Sequence, residues 1–277
     1  MTTSLSSTQL DRAAGLIRQA DALVVAAGAG MGVDSGLPDF RGNEGFWRAY
    51  PALGAAGIAF TTAASPATFK ENLSLAWGFY GHRLNLYRDT APHEGFQLLK
   101  SWAGRMPHGY QVFTSNVDGQ FQKAGFDADR IYECHGSIHH LQCLEPCGDA
   151  IWEARDFAPD VNERACELTS EAPRCPHCGG MARPNILMFG DWGWIEQRSE
   201  RQAARLARWL EKVERPVVIE LGAGTAIPSV RHFSQEVIRR GGRLVRINPR
   251  EPEVPTPLDV GLASGALEGL LAIAVRL

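Results

Sequence analysis

Leu23-Val24-Val25-Ala26-Ala27 is a short unbroken apolar run that stops at Gly28-Ala29-Gly30. A strand apolar on both faces has to be covered on both, as the central strands of a parallel sheet are. Glycines at its carboxyl end let backbone amides approach a phosphate where a helix starts. Pro216 to Leu221 reads as another strand and passes into Gly222-Ala223-Gly224. Tyr110 to Thr114 reads as a third strand, and Arg243 to Asn248 alternates as a fourth. Helical spacing marks Gln9 to Ala20, Glu200 to Val213 and Val230 to Arg240. Strands alternating with helices predict an α/β chain built on a doubly wound, Rossmann-like parallel sheet.

Two regions break this rhythm. Gly42 to about Tyr87 is rich in aromatics and alanine and reads as helical or irregular. His139 to Arg183 has little periodicity and holds five of the six cysteines. The expected organisation is a Rossmann-like domain from residues 1–42, 88–138 and 184–277, a helical lobe at 43–87 and a small inserted metal module at 139–183. Glu251 to Pro257 reads as a surface loop.

The 28 basic and 31 acidic residues leave a formal charge of −3, which argues against a general nucleic-acid or anionic-membrane binder. No apolar run reaches the roughly 18 residues a membrane helix needs. Met1 to Leu10 lacks a basic stretch followed by an apolar one, so a cytoplasmic protein is expected.

Cys143-x-x-x-Cys147 and Cys175-Pro176-His177-Cys178-Gly179 are two close cysteine pairs, the second with the glycine of a zinc-knuckle turn. Clustered cysteines without an export signal read as metal ligands rather than as a disulfide framework. The expectation is one structural Zn2+ on four thiolates, with Cys166, His139, His140 and His177 nearby as alternative ligands. A closed four-thiolate site has no open position for chemistry.

Three further segments sit where ligands of an open α/β sheet bind. Gly28-Ala29-Gly30-Met31-Gly32-Val33-Asp34-Ser35-Gly36-Leu37-Pro38-Asp39-Phe40-Arg41 follows the first strand, with Val33 where a dinucleotide fingerprint has its third glycine. Thr114-Ser115-Asn116-Val117-Asp118-Gly119 follows another strand and by itself is an ordinary Asx-turn. Glu133-Cys134-His135-Gly136-Ser137 presents an imidazole, the group whose pKa best suits a general base near neutral pH. Cys134, one step from His135 along a strand, would face the other way as buried filler.

Taken together and in order, these strings resemble the sirtuin family's G-A-G-x-S-x-x-S-G-I-P-D-F-R, T-Q-N-I-D-G-L-H and E-L-H-G-S motifs. Arg183-Pro184-Asn185-Ile186-Leu187-Met188-Phe189-Gly190-Asp191 is similar to the family's R-P-x-V-V-x-F-G-E. Gly222-Ala223-Gly224 and Ile247-Asn248 stand where it has G-T-S and I-N. The chain departs from the pattern at Gly32 (usually Ser), Ser115 (Gln), Phe121 (His) and Ala223-Gly224 (Thr-Ser).

The resemblance implies an NAD-dependent protein lysine deacylase, a deacetylase-type acyl transferase that releases nicotinamide and O-acyl-ADP-ribose. It implies that His135 is the base that activates a ribose hydroxyl, with Asn116 holding the ribose and an ordered water. Asp118 would hold the nicotinamide carboxamide, and Phe40 would shield the reactive ribose face. Gly28, Ala29, Gly30, Asp39, Arg41, Ser115, Gly222 and Gly224 would line the NAD site, with Asn248 on the adenosine ribose. Phe189 and Gly190 would pair with an acylated peptide, and the four cysteines would hold Zn2+.

One sirtuin subgroup binds the carboxylate of succinyl- or malonyl-lysine with a Tyr-x-x-Arg pair, a spacing that Tyr80 and Arg83 fit. The plainer expectation is that Phe79 and Leu86 take the buried face of this helix and Arg83 faces solvent. Ser115 and Phe121 keep open a mono-ADP-ribosyltransferase or NAD glycohydrolase using the same pocket. A non-catalytic NAD- or zinc-dependent scaffold is a third class, against which His135 and Asn116 argue.

Overall fold

The computed structural model describes residues 5–38 and 42–277. Its strands are β1 (Ala22–Ala27), β2 (Tyr110–Thr114), β3 (Ile131–Glu133), β4 (Gly136–Cys143), β5 (Ile151–Glu153), β6 (Val161–Asn162), β7 (Glu167–Leu168), β8 (Ala182–Ile186), β9 (Pro216–Leu221), β10 (Arg243–Ile247) and β11 (Val260–Leu262). The main sheet runs β3-β2-β1-β9-β10-β11, and every neighbouring pair in it is parallel. Three strands run outward on each side of a reversal between β1 and β9, the order of a Rossmann sheet, whose ligands bind at that switch point.

Side chains alternate between the two faces of this sheet as the pleat requires. Leu23, Val25, Ala27, Ile219 and Val245 pack against helices Ser7–Gln19, Gly95–Ala103 and Ala266–Ala274. Val24, Ala26, Phe113, Val218 and Leu244 pack against helices Gln197–Leu210 and Ser229–Arg239. Both faces are thus covered, which is why β1 reads as a continuous apolar run and β9 is apolar apart from Glu220.

A third core lies outside the sheet. Helix Leu73–Asp89, whose first turn is capped by the Asn72 side chain accepting from the Leu75 amide at 3.0 Å, supplies Trp77, Phe79, Tyr80 and Leu84. These pack with Phe46 and Phe69 of the neighbouring short helices and with Ile138, Leu141 and Ile186 of β4 and β8. Trp77 Nε1 donates to the Ala182 carbonyl at 3.2 Å. The aromatic helices and the cysteine-bearing sheet β5-β4-β8 therefore share one core. No described helix is long and apolar enough to cross a membrane.

Candidate functional site

The loops after β1 and β9 meet at the switch point with almost no gap. A Cβ on Gly28 would stand 2.8 Å from the Gly222 carbonyl, and one on Gly222 would collide with the Gly30 backbone. The Gly30 amide donates to the Gly222 carbonyl at 3.1 Å. Two glycines facing each other are the condition for this approach, and they leave backbone lining the crevice. Ala29 is exposed at its mouth, ahead of the single helical turn Gly30–Val33. Gly32 has no room for the usual serine without movement of Leu37, whose Cδ1 would lie 3.0 Å from an added Cβ. Asp39, Phe40 and Arg41, expected at the cofactor, lie outside the described residues.

The loop after β2 is pinned to the same place. The Thr114 hydroxyl donates to the Ala27 carbonyl at 3.0 Å and accepts from the Asn116 amide at 3.0 Å. Asn116 Nδ2 donates to the Gly28 carbonyl at 3.0 Å. The Asp118 carboxylate accepts from the Gln120 amide at 2.9 Å, so the Asx-turn is real, and it buries the carboxyl. Burial pushes the Asp118 pKa up to about 6, against the pull of the Gln120 amide bond. His139 Nε2 meets the Asp118 carbonyl at 2.9 Å.

His135 lies in the turn between β3 and β4 rather than along a strand, so strand alternation does not set the direction of Cys134. Cys134 is partly buried beside the second face of the sheet, and burial pushes its thiol up to about 12. His135 has a hydrogen bond to the Ser115 backbone and shares another, Nε2 to Ser229 Oγ, at 3.2 Å. Burial holds its pKa below the ordinary 6.5, so the ring is neutral at pH 7 and able to take a proton. Ser229, the first residue of helix Ser229–Arg239, is the site residue that sequence reading missed. Only the following helix, not a motif, marked its position.

Charge is buried directly behind the β9 loop. Glu220, on β9, receives Arg246 Nε at 2.5 Å and Nη2 at 3.2 Å, with Arg231 Nε at 3.4 Å. Arg231 also donates to the Ala223 carbonyl at 3.1 Å and to Glu251. Asn248 Nδ2 donates to the same Ala223 carbonyl at 2.8 Å, while its Oδ1 accepts the amides of Arg250 and Glu251. Asn248 is fully buried and works as a brace for the Gly222–Gly224 loop.

A second braced loop follows β8. Arg183 and Asp191 form a two-pronged ion pair at 2.6 and 2.9 Å with both side chains buried. Asp191 also accepts the amides of Met188 and Gly193. This clamp presents Phe189, Gly190 and the fully exposed Trp192 to solvent. The Leu187 amide is spent on the His135 carbonyl and the Phe189 amide on the Ala64 carbonyl. A strand added here is met by carbonyls, or it displaces the Phe189–Ala64 bond.

The structure corrects the expectation that Arg83 is solvated. Arg83 is buried, its Nε and Nη2 donate to the Tyr87 hydroxyl at 3.0 and 2.7 Å, and its guanidinium lies 5.2–5.7 Å from the rings of Phe79, Tyr80 and Tyr87. Tyr80 is buried beside it, and burial pushes its hydroxyl up to about 12. The Phe189 ring packs on Phe60 (5.6 Å) and Phe60 on Phe79 (6.4 Å), an aromatic path from the exposed loop to the Arg83 side chain.

The sulfur atoms of Cys143, Cys147, Cys175 and Cys178 lie within 4.8 Å of one another. Cys143–Cys178 is 3.6 Å and Cys147–Cys175 is 3.7 Å. A tetrahedron with metal–sulfur bonds of about 2.3 Å has edges near 3.8 Å, so these four thiols fit a metal ion. The Gly180 amide points at Cys178 Sγ at 3.4 Å, and the Cys175 amide closes the knuckle on the Gly180 carbonyl. Cys166 lies apart, in the aromatic core, and among the described residues no histidine joins the cluster.

The parallel sheet with a glycine crevice at its switch point places the chain in the Rossmann-like α/β class, with the partly buried His135 imidazole in the neighbouring turn. A model of the Sir2 family matches residues 28–222. An NAD-dependent protein deacylase of Daphnia pulex is 34% identical over 200 residues, covering 67% of this chain and 69% of that protein. Another, from Aquifex aeolicus, is 28% identical over 248 residues and covers 90% and 92%. A solved structure from work on the mechanism and regulation of Sir2 enzymes superposes with a TM-score of 0.71 at 24% identity over 98% of each chain. The chain belongs to the Sir2 family.

Proposed function

We propose that this protein removes acyl groups from protein lysines at the expense of NAD, releasing nicotinamide and O-acyl-ADP-ribose. The observation that carries this reading is His135, held neutral between the Ser115 backbone and Ser229 beside the Gly28–Asn116 contact. NAD supplies the ADP-ribosyl group that accepts the acyl oxygen. In this reading the glycine loops after β1 and β9 bind the pyrophosphate through backbone, and Asn248 positions the second loop. Asn116 orients the nicotinamide ribose, Asp118 accepts the carboxamide, and His135 takes the proton from a ribose hydroxyl. The acylated peptide lies along Phe189 and Gly190. Zn2+ on Cys143, Cys147, Cys175 and Cys178 is structural, and four free thiolates suit a reducing compartment such as the cytoplasm.

The burial of Arg83 at the end of the aromatic path favours a finer reading. A guanidinium beside Tyr80 can take the carboxylate of a succinyl- or malonyl-lysine through two charge-assisted hydrogen bonds. ADP-ribosyl transfer to a protein side chain loses one of its supports. Phe121, which replaces a family histidine, is core filler packed with Phe96 at 5.0 Å and Phe126 at 5.1 Å.

Mass spectrometry of the products from NAD and one peptide carrying acetyl, succinyl or long acyl groups tests the reading. Equal yields of deacylated peptide and O-acyl-ADP-ribose are expected. Labelled protein or free ADP-ribose with the acyl group untouched would refute it.

A further inference from the structure

A cavity of about 790 Å3 lies apart from the glycine crevice. It lies between helix Gln197–Leu210 and the β4–β5 hairpin, behind the Asp118–Gly119 turn. Arg198, Arg201 and Arg205 stand three and four residues apart on that helix, so they share one face, and all three line the cavity. Across from them are His140 of β4 and the Trp152 ring of β5, the two strands being paired antiparallel.

The charges on these arginines are incompletely met. Arg198 spends Nη2 on Glu133 at 2.5 Å, but its Nη1 is buried with no hydrogen-bond partner. His140 Nδ1 is likewise buried with no partner. Among the described residues, Arg201 lines the cavity with no ion pair or hydrogen bond. Arg205 donates Nε to the Asp129 carbonyl at 3.1 Å, and its charge is met only by the exposed Asp129 carboxylate at 3.5 Å, a weak contact in water. Among the acids of the lining, Glu153 is already paired with Arg155 at 2.8 Å. A buried N–H without an acceptor costs about 1–3 kcal/mol, and such groups in native proteins commonly mark an absent water or ion.

We infer that this cleft is a second anion site, built to take a small phosphate-bearing molecule. Phosphate oxygens meet the forked donors of arginine two at a time, and several oxygens on one ligand can satisfy Arg198 Nη1, His140 Nδ1 and Arg201 together. The volume exceeds that of a single phosphate and falls in the range of about 300–1,000 Å3 typical of small-molecule sites. The flat Trp152 side chain supplies an apolar wall beside the charges. This inference does not depend on the deacylase reading.

Isothermal titration with inorganic pyrophosphate tests it, run with saturating ADP-ribose so that the glycine crevice is filled. The expected result is one saturable site per chain, weakened at least about tenfold by Arg201→Glu and by Arg205→Glu. Arg208→Glu, an exposed change on the same helix outside the cleft, leaves it unchanged. If ADP-ribose itself fails to bind, the dinucleotide assignment is at fault, and the Arg201 dependence still reports on the cleft. Absence of saturable binding in the low-millimolar range would overturn the proposal, as would equal binding by Arg201→Glu. Equal losses in Arg201→Glu and Arg208→Glu would reduce the effect to net charge and overturn it too.

Discussion

The end proposed to hold the nucleotide and the end proposed to face the peptide both rest on buried ion pairs, but they are assembled differently. At the nucleotide end every loop leaves an adjacent parallel strand, so sheet register alone brings Gly28, Asn116 and Gly222 together. Glu220, Arg246 and Arg231 then lock one of those loops from behind. At the peptide-facing end, Phe46, Phe79, Tyr80, Ile138 and Ile186 come from distant segments into one aromatic core. There the exposed loop depends on one pair, Arg183–Asp191, and on a module whose four thiols fit a metal. The first end is secured by local geometry and the second by long-range packing plus a thiol cluster that fits a metal, so they should fail under different insults.

Metal removal should separate the two ends most sharply. Structural zinc contributes on the order of 10 kcal/mol to small thiolate modules. Protein purified without added metal should carry one zinc per chain, and Cys175→Ala should lose it, with melting of the cysteine sheet and the aromatic core. ADP-ribose binding should outlast that melting, because Gly28, Asn116 and Gly222 follow adjacent strands of the main sheet, which belong to the other two cores. Full metal retention in Cys175→Ala, read by elemental analysis, would break the four-thiolate assignment.

Next in size is the clamp. Arg183→Ala leaves the Asp191 carboxylate buried and unpaired, a loss of about 3–5 kcal/mol. Urea denaturation checks it, and a loss below about 1 kcal/mol would mean that Asp191 finds water instead.

The acyl pocket offers a finer cut. If the Arg83 guanidinium meets an acidic acyl group, the wild type prefers succinyl over acetyl peptide by about tenfold or more. Arg83→Met should then reverse that order by lowering succinyl turnover. Paired kinetics on one peptide decide it, and an unchanged ratio in Arg83→Met would remove Arg83 from acyl selection.

How much of this was legible from residue order follows the same division. β1 stood out because a parallel strand buried on both faces is written as an uninterrupted apolar run, and β2, β9 and β10 stood out as short runs rich in apolar residues set between helical stretches. The four metal-type cysteines stood out because chelation needs short spacings. Helices Gly95–Ala103 and Ala266–Ala274 and strand β11 were not foreseen, since each is short and is fixed by packing on elements far away in sequence. Arg83 was misplaced for a related reason. A charged residue on a helix is ordinarily solvated, and only the rings of Phe79, Tyr80 and Tyr87 around it reverse that. Ser229 and the Glu220–Arg246 pair carry no local pattern at all.

The smallest expected effect is a pH slope at the nucleotide end. The folded Asp118 carboxyl, raised to about 6, binds its proton more tightly than the unfolded chain does. Stability therefore falls as pH rises from about 4 to about 6, by on the order of 1–3 kcal/mol. Asp118→Asn should flatten that slope in chemical denaturation, and a slope of equal size in the variant would assign it to other groups.

The most direct test of the proposed chemistry is His135→Ala. ADP-ribose binding and the melting profile should stay close to wild type, because the glycine loops and the metal module do not depend on the imidazole. Turnover on acyl peptide should fall by at least about 100-fold, the usual contribution of a positioned general base. Near-normal deacylation by this variant would contradict the assignment of His135 as the base.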